Sequence, residues 1–262
     1  MNLLKIIDEI GKTDPDVYEK LNSRRGMFKH LSNVGTKMAF AAAPVLLGGV
    51  FNKTYARTSA SVGDVLNYAL TLEYLEDAFY KAGLAAAGLI PDNRKAIFNQ
   101  ISKHEDAHVK FLLAVLGQLS VTPVAKPEFD FTANGMFADV FTNYTTFLAL
   151  SQSFEDTGVR AYKGRAGELL GNATVLTAAL QIHSVEARHA SMVRRLRAEK
   201  GWITGKNASG LPEAIYAGED NITQGGASIV SLGYTADTAT EAFDEPLAPE
   251  AVLAIAGMFI KS

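Results

Sequence analysis

Apolar residues recur every three or four positions along four long stretches of the chain, and this spacing is typical of amphipathic helices. It predicts four helices, over residues 62–87, 92–119, 135–166 and 173–200. Polar residues that can cap a helix N-terminus precede the first and fourth stretches, in the run 58–61 and at Asn172. Gly201 is a stop signal for the fourth helix. The pattern therefore predicts an all-α region.

The segments between the predicted helices indicate how the helices are connected. Residues 89–91 and 167–172 are short turns, which make antiparallel neighbours of the helices that they join. Residues 120–134 are longer and contain two prolines and an extended Phe-Asp-Phe stretch. They are long enough to pass from one end of a bundle to the other. Two hairpins joined in this way predict a four-helix bundle with one long crossover.

The two ends of the chain differ from the central region, so we divide the sequence into residues 1–60, 61–200 and 201–262. Residues 201–262 begin with a long stretch that is rich in Gly, Thr, Ser and Asn, which we interpret as an ordered tail or a long loop. A short helix is predicted near the C-terminus, over residues 249–260, because apolar positions resume there after a proline. Its apolar face is expected to pack on the bundle through Val252, Leu253, Ala256, Phe259 and Ile260.

Residues 1–60 contain a twin-arginine-like motif, Ser23-Arg24-Arg25-Gly26-Met27-Phe28-Lys29, followed by an apolar stretch over residues 38–51. That stretch is too short and interrupted for a stable membrane span, which needs about 20 apolar residues. The arrangement predicts an export signal and a periplasmic or exported protein. The alternative is an N-terminal helix that packs on the bundle of a cytoplasmic protein.

Two Glu-x-x-His motifs stand on the second and fourth predicted helices, at Glu105 to His108 and at Glu186 to His189. A spacing of three residues places both side chains on one face of a helix. A glutamate precedes each motif on the neighbouring helix, 32 residues earlier at Glu73 and 31 residues earlier at Glu155. A tyrosine follows each of these glutamates by seven residues, at Tyr80 and Tyr162. The chain therefore contains an internal repeat of Glu, Tyr and Glu-x-x-His.

This set of side chains suits a pair of metal ions. Four carboxylates balance two divalent cations, and two imidazoles add one nitrogen ligand to each metal. Oxygen-rich sites with some imidazole favour iron or manganese. The chain has no cysteine, which excludes thiolate sites, and its net charge of -3 without a basic stripe argues against a nucleic-acid partner. We predict two Fe or Mn ions held by Glu73, Glu105, His108, Glu155, Glu186 and His189, with Tyr80 and Tyr162 as hydrogen-bond partners of the ligands.

The repeat resembles the ferritin-like di-metal carboxylate superfamily, in which two helices each supply a Glu and two others each supply a Glu-x-x-His. The resemblance covers about residues 62–200 and implies a ferritin-like four-helix bundle. By analogy, Glu105 and Glu186 would bridge the metals, and Glu73 and Glu155 would be terminal ligands. The segment Phe243-Asp244-Glu245-Pro246-Leu247 also looks like the desiccation-related branch of these proteins.

The resemblance implies redox chemistry in stress defence, in which the protein oxidises metal or consumes oxygen or peroxide. Two alternatives stay open: a manganese catalase-like enzyme, and a non-catalytic protective protein whose bundle is stabilised by metal. The long terminal regions would crowd the packing of a 24-subunit cage, whereas a homodimer is compatible with them.

Several nearby polar residues compete with the predicted ligands. Glu76 lies one turn after Glu73 but has Gly158 as its counterpart in the repeat, so we expect it beside the ligands or at the surface. Three aspartates are expected to be charges on helix faces, of which one could orient a histidine: Asp77, Asp106 and Asp156. His104 and His183 flank the motifs without repeating, so we expect polar contacts or surface positions for them, with a role at the site as the alternative.

Overall fold

The computed structural model describes residues 60–261, and the N-terminal signal that we predict lies outside the described residues, apart from Ala60. Four long helices form the core of this region, and a set of shorter elements follows them. The long helices are α1 Val62–Ala85, α2 Asp92–Gln118, α3 Tyr144–Ala166 and α4 Ala173–Leu196. A 3-10 turn, Gly167–Leu169, connects α3 to α4. The predicted all-α bundle is therefore confirmed.

Helix α1 begins at a capping box, as the polar run before it suggests. The Ser61 side chain accepts a hydrogen bond from the Asp64 amide, and the Asp64 carboxylate accepts one from the Ser61 amide. These two bonds satisfy amides that have no partner inside the helix. Helix α4 is capped in a simpler way, because Asn172 Oδ1 accepts from the Val175 amide at 3.1 Å. The two cap predictions are thus confirmed.

Helix α3 begins at Tyr144, nine residues later than the predicted start at Gly135. The backbone explains the difference, since it leaves the helical region at Gly135, with a φ of 90°, and again at Asn143, which is extended with φ -123° and ψ 111°. Residues 131–142 form turns instead. The helix starts where Asn143 Oδ1 accepts a hydrogen bond from the Thr145 amide. Apolar periodicity alone therefore overestimated the length of this helix.

The long connection between α2 and α3 runs beside α1, and part of it is buried in the aromatic core. Near the first turns of α1, Asn67 Nδ2 donates to the Thr122 carbonyl at 3.1 Å. Further along, Phe131 packs edge-on against Phe79 with 5.3 Å between ring centroids. The connection therefore crosses from one end of the bundle to the other, as predicted, and α2 and α3 run parallel.

The bundle has two apolar cores, one toward each end. An aromatic core lies beside the C-terminal half of α1, and in it Phe79 and Phe147 stack with 4.9 Å between ring centroids. An aliphatic core surrounds the N-terminal half of α1 and includes Leu66, Leu70 and Leu112. A group of buried acidic side chains lies on the same helices between these two cores. Such a group requires compensation by a positive charge or a proton.

The C-terminal extension is ordered and packs on α3. Its elements are two 3-10 helices, Glu213–Tyr216 and Val230–Leu232, the hairpin strands β1 Thr223–Gln224 and β2 Ala227–Ser228, and the helices α5 Ala236–Glu241 and α6 Pro249–Gly257.

The last helix, α6, packs on the bundle as expected, although its buried face differs from the predicted one. Leu253 is 45% exposed, whereas Ile255 is buried with Val252 and Ala256. Beyond the helix, the Asp130 amide donates to the Phe259 carbonyl at 2.8 Å, which ties the chain end to the crossover.

A buried arginine holds the extension against the bundle. Arg160 on α3 is fully buried, and its Nε lies 2.8 Å from Glu219 Oε1 and donates to the Glu245 carbonyl at 2.9 Å. Its other nitrogens donate to the carbonyls of Ile215 and Ala217. Four residues from two segments of the extension therefore converge on one guanidinium group, which offers five donors in a fixed plane.

Gly164 on α3 allows the extension to approach closely, and we expect Gly164→Ala to destabilise the protein by about 1–3 kcal/mol. A Cβ at this position would overlap the carbonyl oxygen of Leu247, which belongs to the backbone and cannot rotate away. Gly117→Ala on α2 is the matched control, because its Cβ would meet nothing within 4 Å. Urea denaturation checks both variants. Equal stability of the two variants would show that the backbone at Leu247 can move away from the added methyl group at little cost.

Within residues 60–261, no helix combines the length and the apolar character that are needed to cross a membrane.

Candidate metal site

The structure brings the six predicted ligand residues together at the middle of the bundle. Each helix contributes to the group, and the four glutamates are fully buried. The contributions are Glu73 from α1, Glu105 and His108 from α2, Glu155 from α3, and Glu186 and His189 from α4. The local helix geometry accounts for this arrangement, because residues three apart on α2 and α4 project from the same face.

His108 is the centre of the first half of the site. Its Nδ1 atom lies 3.2 Å from Glu73 Oε2, 3.2 Å from Glu105 Oε2 and 3.1 Å from Glu186 Oε1. These four residues each offer one ligand atom, and all of the atoms lie within 4.8 Å of one another. The spacing is that of ligands around a common point.

His189 occupies the equivalent place in the second half. Its Nδ1 atom lies 2.9 Å from Glu105 Oε1, 3.4 Å from Glu155 Oε2 and 3.6 Å from Glu186 Oε2. Glu105 and Glu186 therefore present one oxygen to each half, while Glu155 belongs to the second half alone. Glu105 and Glu186 are thus shared by the two ligand groups.

The chemistry of the donor set fits a pair of cations. Several buried atoms make no hydrogen bond within residues 60–261, namely Glu105 Oε1, Glu155 Oε2, both carboxylate oxygens of Glu186 and His189 Nδ1. His189 Nδ1 is close to three carboxylate oxygens but is not aligned for a hydrogen bond with them. Buried polar atoms without partners are costly in a folded protein, and a bound cation would satisfy all of these at once.

The pKa values of the four glutamates also show that their charges are poorly compensated without metal. Burial raises the pKa of Glu155 to about 7, and burial together with the Glu186 charge raises the pKa values of Glu73 and Glu105. Burial opposes ionisation of Glu186 too, but the imidazoles of His108 and His189 outweigh it and lower its pKa to about 2. Without metal, the two histidines are therefore the positive charges in the cluster that stabilise ionised glutamates, and they do not balance all four carboxylates.

The two tyrosines of the repeat bind the glutamates of the opposite half. Tyr162 Oη donates to Glu73 Oε1 at 2.5 Å, and Tyr80 Oη donates to Glu155 Oε1 at 2.5 Å. Each hydroxyl therefore reaches across the bundle. The exchange is possible because α1 and α3 run antiparallel, so that a residue two turns beyond one glutamate lies level with the other. Both tyrosines are buried, and their hydroxyls orient Glu73 and Glu155.

We expect Tyr162→Phe to weaken metal binding by about 10- to 100-fold, the usual effect of removing a hydrogen bond that orients a ligand. The ring would stay in place, whereas Glu73 would lose the donor that holds Oε1. Tyr144→Phe is the control, since the Tyr144 hydroxyl makes no hydrogen bond within the described residues. Competition with a chromogenic chelator measures both affinities. If Tyr162→Phe and Tyr144→Phe bound metal equally well, the Tyr162 hydroxyl would have no role in positioning Glu73.

Two further residues lie beside the six ligands. Glu76 is buried next to them, and a Cβ on Gly158 would lie 3.2 Å from Glu76 Oε1. The glycine thus makes room for a fifth carboxylate. The sequence contains a sign of this contact, because Glu76 and Gly158 occupy equivalent positions in the repeat. His104 Nδ1 lies 2.8 Å from His189 Nε2, with the two rings stacked. Sequence spacing gave no indication of that contact.

The aspartates near the motifs form ion pairs with lysine and arginine side chains rather than with the ligand histidines. Asp77 and Asp106 share Lys81, at 2.6 and 2.9 Å. Asp156 pairs with Arg194 at 2.6 Å. Asp77 and Asp156 are both buried, so neither is a charge on a solvent-exposed helix face, whereas Asp106 is partly exposed.

Comparison with known proteins agrees with this geometry. No curated protein matches the chain. Residues 61–199 match the sequence model of the ferritin-like domain, which is more than half of the chain and spans every ligand residue described above. The matched region coincides with the four long helices and their crossover. The chain therefore belongs to the ferritin-like domain family, with a buried cluster of glutamates and histidines that is compatible with a di-metal site.

Proposed function

We propose that this protein binds two iron or manganese ions and uses them to consume oxygen or peroxide. The observation that supports the proposal is the pair of overlapping ligand groups, which share Glu105 and Glu186. Each group contains one histidine nitrogen and three carboxylate oxygens. Such a set leaves coordination positions for a small molecule, because these metals accept more than four ligands.

The side chains have separate roles in this proposal. Glu105 and Glu186 would bridge the two ions, and Glu73 and Glu155 would be terminal ligands. Tyr80 and Tyr162 hold these terminal carboxylates in one orientation through their hydroxyl protons. Bound iron or manganese would supply the electrons that reduce oxygen or peroxide.

Access to the site favours a small substrate. The His108 side chain is 12% exposed, whereas the four glutamates are buried completely. A diatomic molecule or peroxide is small enough to reach the ligands beside this imidazole. Burial of the remaining ligands excludes bulk water, which strengthens electrostatic interactions inside the site.

Metal analysis combined with turnover tests the proposal. We expect about two iron or manganese ions per chain, and oxygen or peroxide consumption by the loaded protein. Glu105→Gln should lose both properties, because it changes a ligand of both halves with little change of volume. Glu128→Gln is the control, since the Glu128 side chain is 84% exposed. Two bound ions without turnover would favour the non-catalytic protective function, and manganese with peroxide turnover would favour the catalase-like one.

We also propose membership of the desiccation-related branch, on the basis of the segment 243–247. This segment contacts both the bundle and the extension, since the Leu247 amide donates to the Arg160 carbonyl at 3.2 Å and Glu245 Oε1 accepts from Asn221 at 3.0 Å. The segment thus joins α3 to the extension. A role in drying tolerance is tested by survival of a deletion strain after desiccation, with the Glu105→Gln protein as the complementing variant.

Export through the twin-arginine-like motif remains a proposal, and it has a chemical rationale. A route that carries folded proteins would allow the metal to be bound before export. Arg24→Lys/Arg25→Lys is expected to leave the protein in the cytosolic fraction and the wild type outside it. The same distribution of both proteins on cell fractionation would count against export.

A further inference from the structure

A cavity of about 820 Å³ lies beside the ligand cluster, toward the end of the bundle where α1 begins and α2 ends. Its volume falls within the range of roughly 300–1,000 Å³ that is typical of small-molecule sites. The metal site does not use this cavity. Its walls come from all four long helices and from the turn between α3 and α4.

The inner wall of the cavity adjoins the ligands. Ala69, Leu112 and Ile182 line it, and each lies four residues from a ligand of its own helix. Tyr162 lines it as well, and its hydroxyl donates to Glu73. An occupant of the cavity would therefore lie against the tyrosine that orients a terminal ligand.

Most of the lining is aliphatic or aromatic, and part of it faces solvent. Phe111 and Leu119 line the cavity and are 39 and 41% exposed. Exposure of large apolar side chains around a concave surface is a mark of binding sites. A ligand with an apolar portion would cover these side chains, and their burial would contribute to its binding free energy.

Two polar groups in the lining supply donors that nothing else uses within the described part of the chain. Tyr68 is 9% exposed, and its buried hydroxyl makes no hydrogen bond within residues 60–261. Arg165 lies over the Tyr68 ring at 5.0 Å, and its Nε is also buried without a hydrogen-bond partner there. Arg165 Nη1 lies 3.2 Å from Glu168, which holds the guanidinium group in place and leaves Nε to another acceptor. Buried donors without acceptors require a partner.

We propose that this cavity binds a fatty acid, with the carboxylate at Tyr68 and Arg165 and the aliphatic chain along Leu112 and Phe111. The carboxylate has the acceptor oxygens that both donors lack, and the chain matches the apolar walls. The site goes beyond the proposed redox function, since neither donor belongs to the ligand cluster and binding requires no metal.

Isothermal titration of the full chain with octanoate, decanoate and dodecanoate tests the proposal. We expect one acid per chain and an affinity that rises by about three- to fourfold with each added methylene group. The metal-free and metal-loaded proteins should both bind, so that loss of the redox function leaves this result unchanged. Methyl dodecanoate should bind at least about tenfold more weakly than dodecanoate, because an ester lacks the charge that strengthens a hydrogen bond to arginine.

Matched variants locate the site. Tyr68→Phe and Arg165→Gln are each expected to weaken dodecanoate binding about tenfold or more. Ala178→Phe should weaken it by placing an aromatic ring inside the cavity, whereas Leu180→Phe, on the same helix but outside the lining, should leave it unchanged. Circular dichroism of each variant excludes unfolding as the cause of a loss.

Three results would overturn the proposal. The first is absence of dodecanoate binding at all concentrations below micelle formation. The second is binding that Ala178→Phe does not reduce. The third is a dimer, detected by light scattering, that Phe111→Ser dissociates while no acid binds; the cavity would then face a second copy of the chain.

Discussion

Loading with Fe²⁺ or Mn²⁺ is expected to raise the melting temperature by about 8–16 °C for each occupied site, when free metal exceeds the dissociation constant about a thousandfold. The metal-free protein buries Glu73, Glu105, Glu155 and Glu186 with only two imidazoles among them. Cations would remove this repulsion and would satisfy the oxygen atoms that have no hydrogen bond. Differential scanning calorimetry with and without metal measures the shift.

The matched variant for this prediction is Glu186→Gln, which removes one charge from both halves at nearly constant volume. Without metal it should be less stable than the wild type, because the charge of Glu186 is the one that the imidazoles of His108 and His189 stabilise. With metal it should show little of the shift. A wild-type melting temperature that changes with neither metal would contradict the metal site itself.

The shift should also grow with pH. Glu155 has a folded pKa of about 7, above its ordinary value of 4.5, so its contribution to metal-free stability declines as pH rises through this window. Burial opposes the charge of His108, but its carboxylate neighbours outweigh burial and raise its pKa to about 12. The metal-free protein therefore also loses stability as the pH rises above 6.5, the ordinary pKa of histidine. Metal, in contrast, competes with fewer protons at higher pH. The increase in melting temperature on loading should therefore be larger at about pH 7.5 than at about pH 6.

Replacement of Arg160 by methionine is expected to destabilise the protein by about 3–5 kcal/mol, the usual effect of breaking a buried ion pair from one side. The change leaves the Glu219 carboxylate buried without its cation and removes donors from the carbonyls of Ile215, Ala217 and Glu245. Urea denaturation measures the loss, and protection of amides in residues 213–247 from hydrogen exchange should fall with it.

Two further variants separate the ion pair from general damage to the core. Arg160→Met/Glu219→Leu should recover part of the lost stability, because the double change leaves no unpaired charge. Arg188→Met alters an arginine on α4 that is not buried and should change stability by less than about 0.5 kcal/mol. If Arg160→Met resembled Arg188→Met, the extension would not depend on the buried guanidinium group.

Much of the bundle and of the candidate site could be predicted because the signals are local. The spacing of Glu105 and His108 depends only on the pitch of a helix, and Ser61 and Asn172 cap helices through neighbours within three residues. The internal repeat then linked the two halves of the site, since equal offsets in two hairpins place equivalent side chains at equal depth. The family resemblance added the bridging and terminal roles, which spacing cannot distinguish.

Contacts between distant segments were decided by tertiary structure. The exchange of Tyr80 and Tyr162 between the two halves requires the antiparallel packing of α1 and α3, which no offset within one helix reveals. The later start of α3 follows from the positive φ of Gly135 and the extended backbone of Asn143, which lie at the two ends of a segment that forms turns.

By itself, then, the sequence determined the helical segments, the connectivity and the six clustered residues of this protein, because helix periodicity and fixed offsets act over a few turns of one chain. Only the folded chain decided that Glu76 lies buried against Gly158, that Arg160 anchors the extension, and that Tyr68 and Arg165 meet over one cavity. These features depend on side chains far apart in sequence, whose approach is set by how whole helices pack against one another.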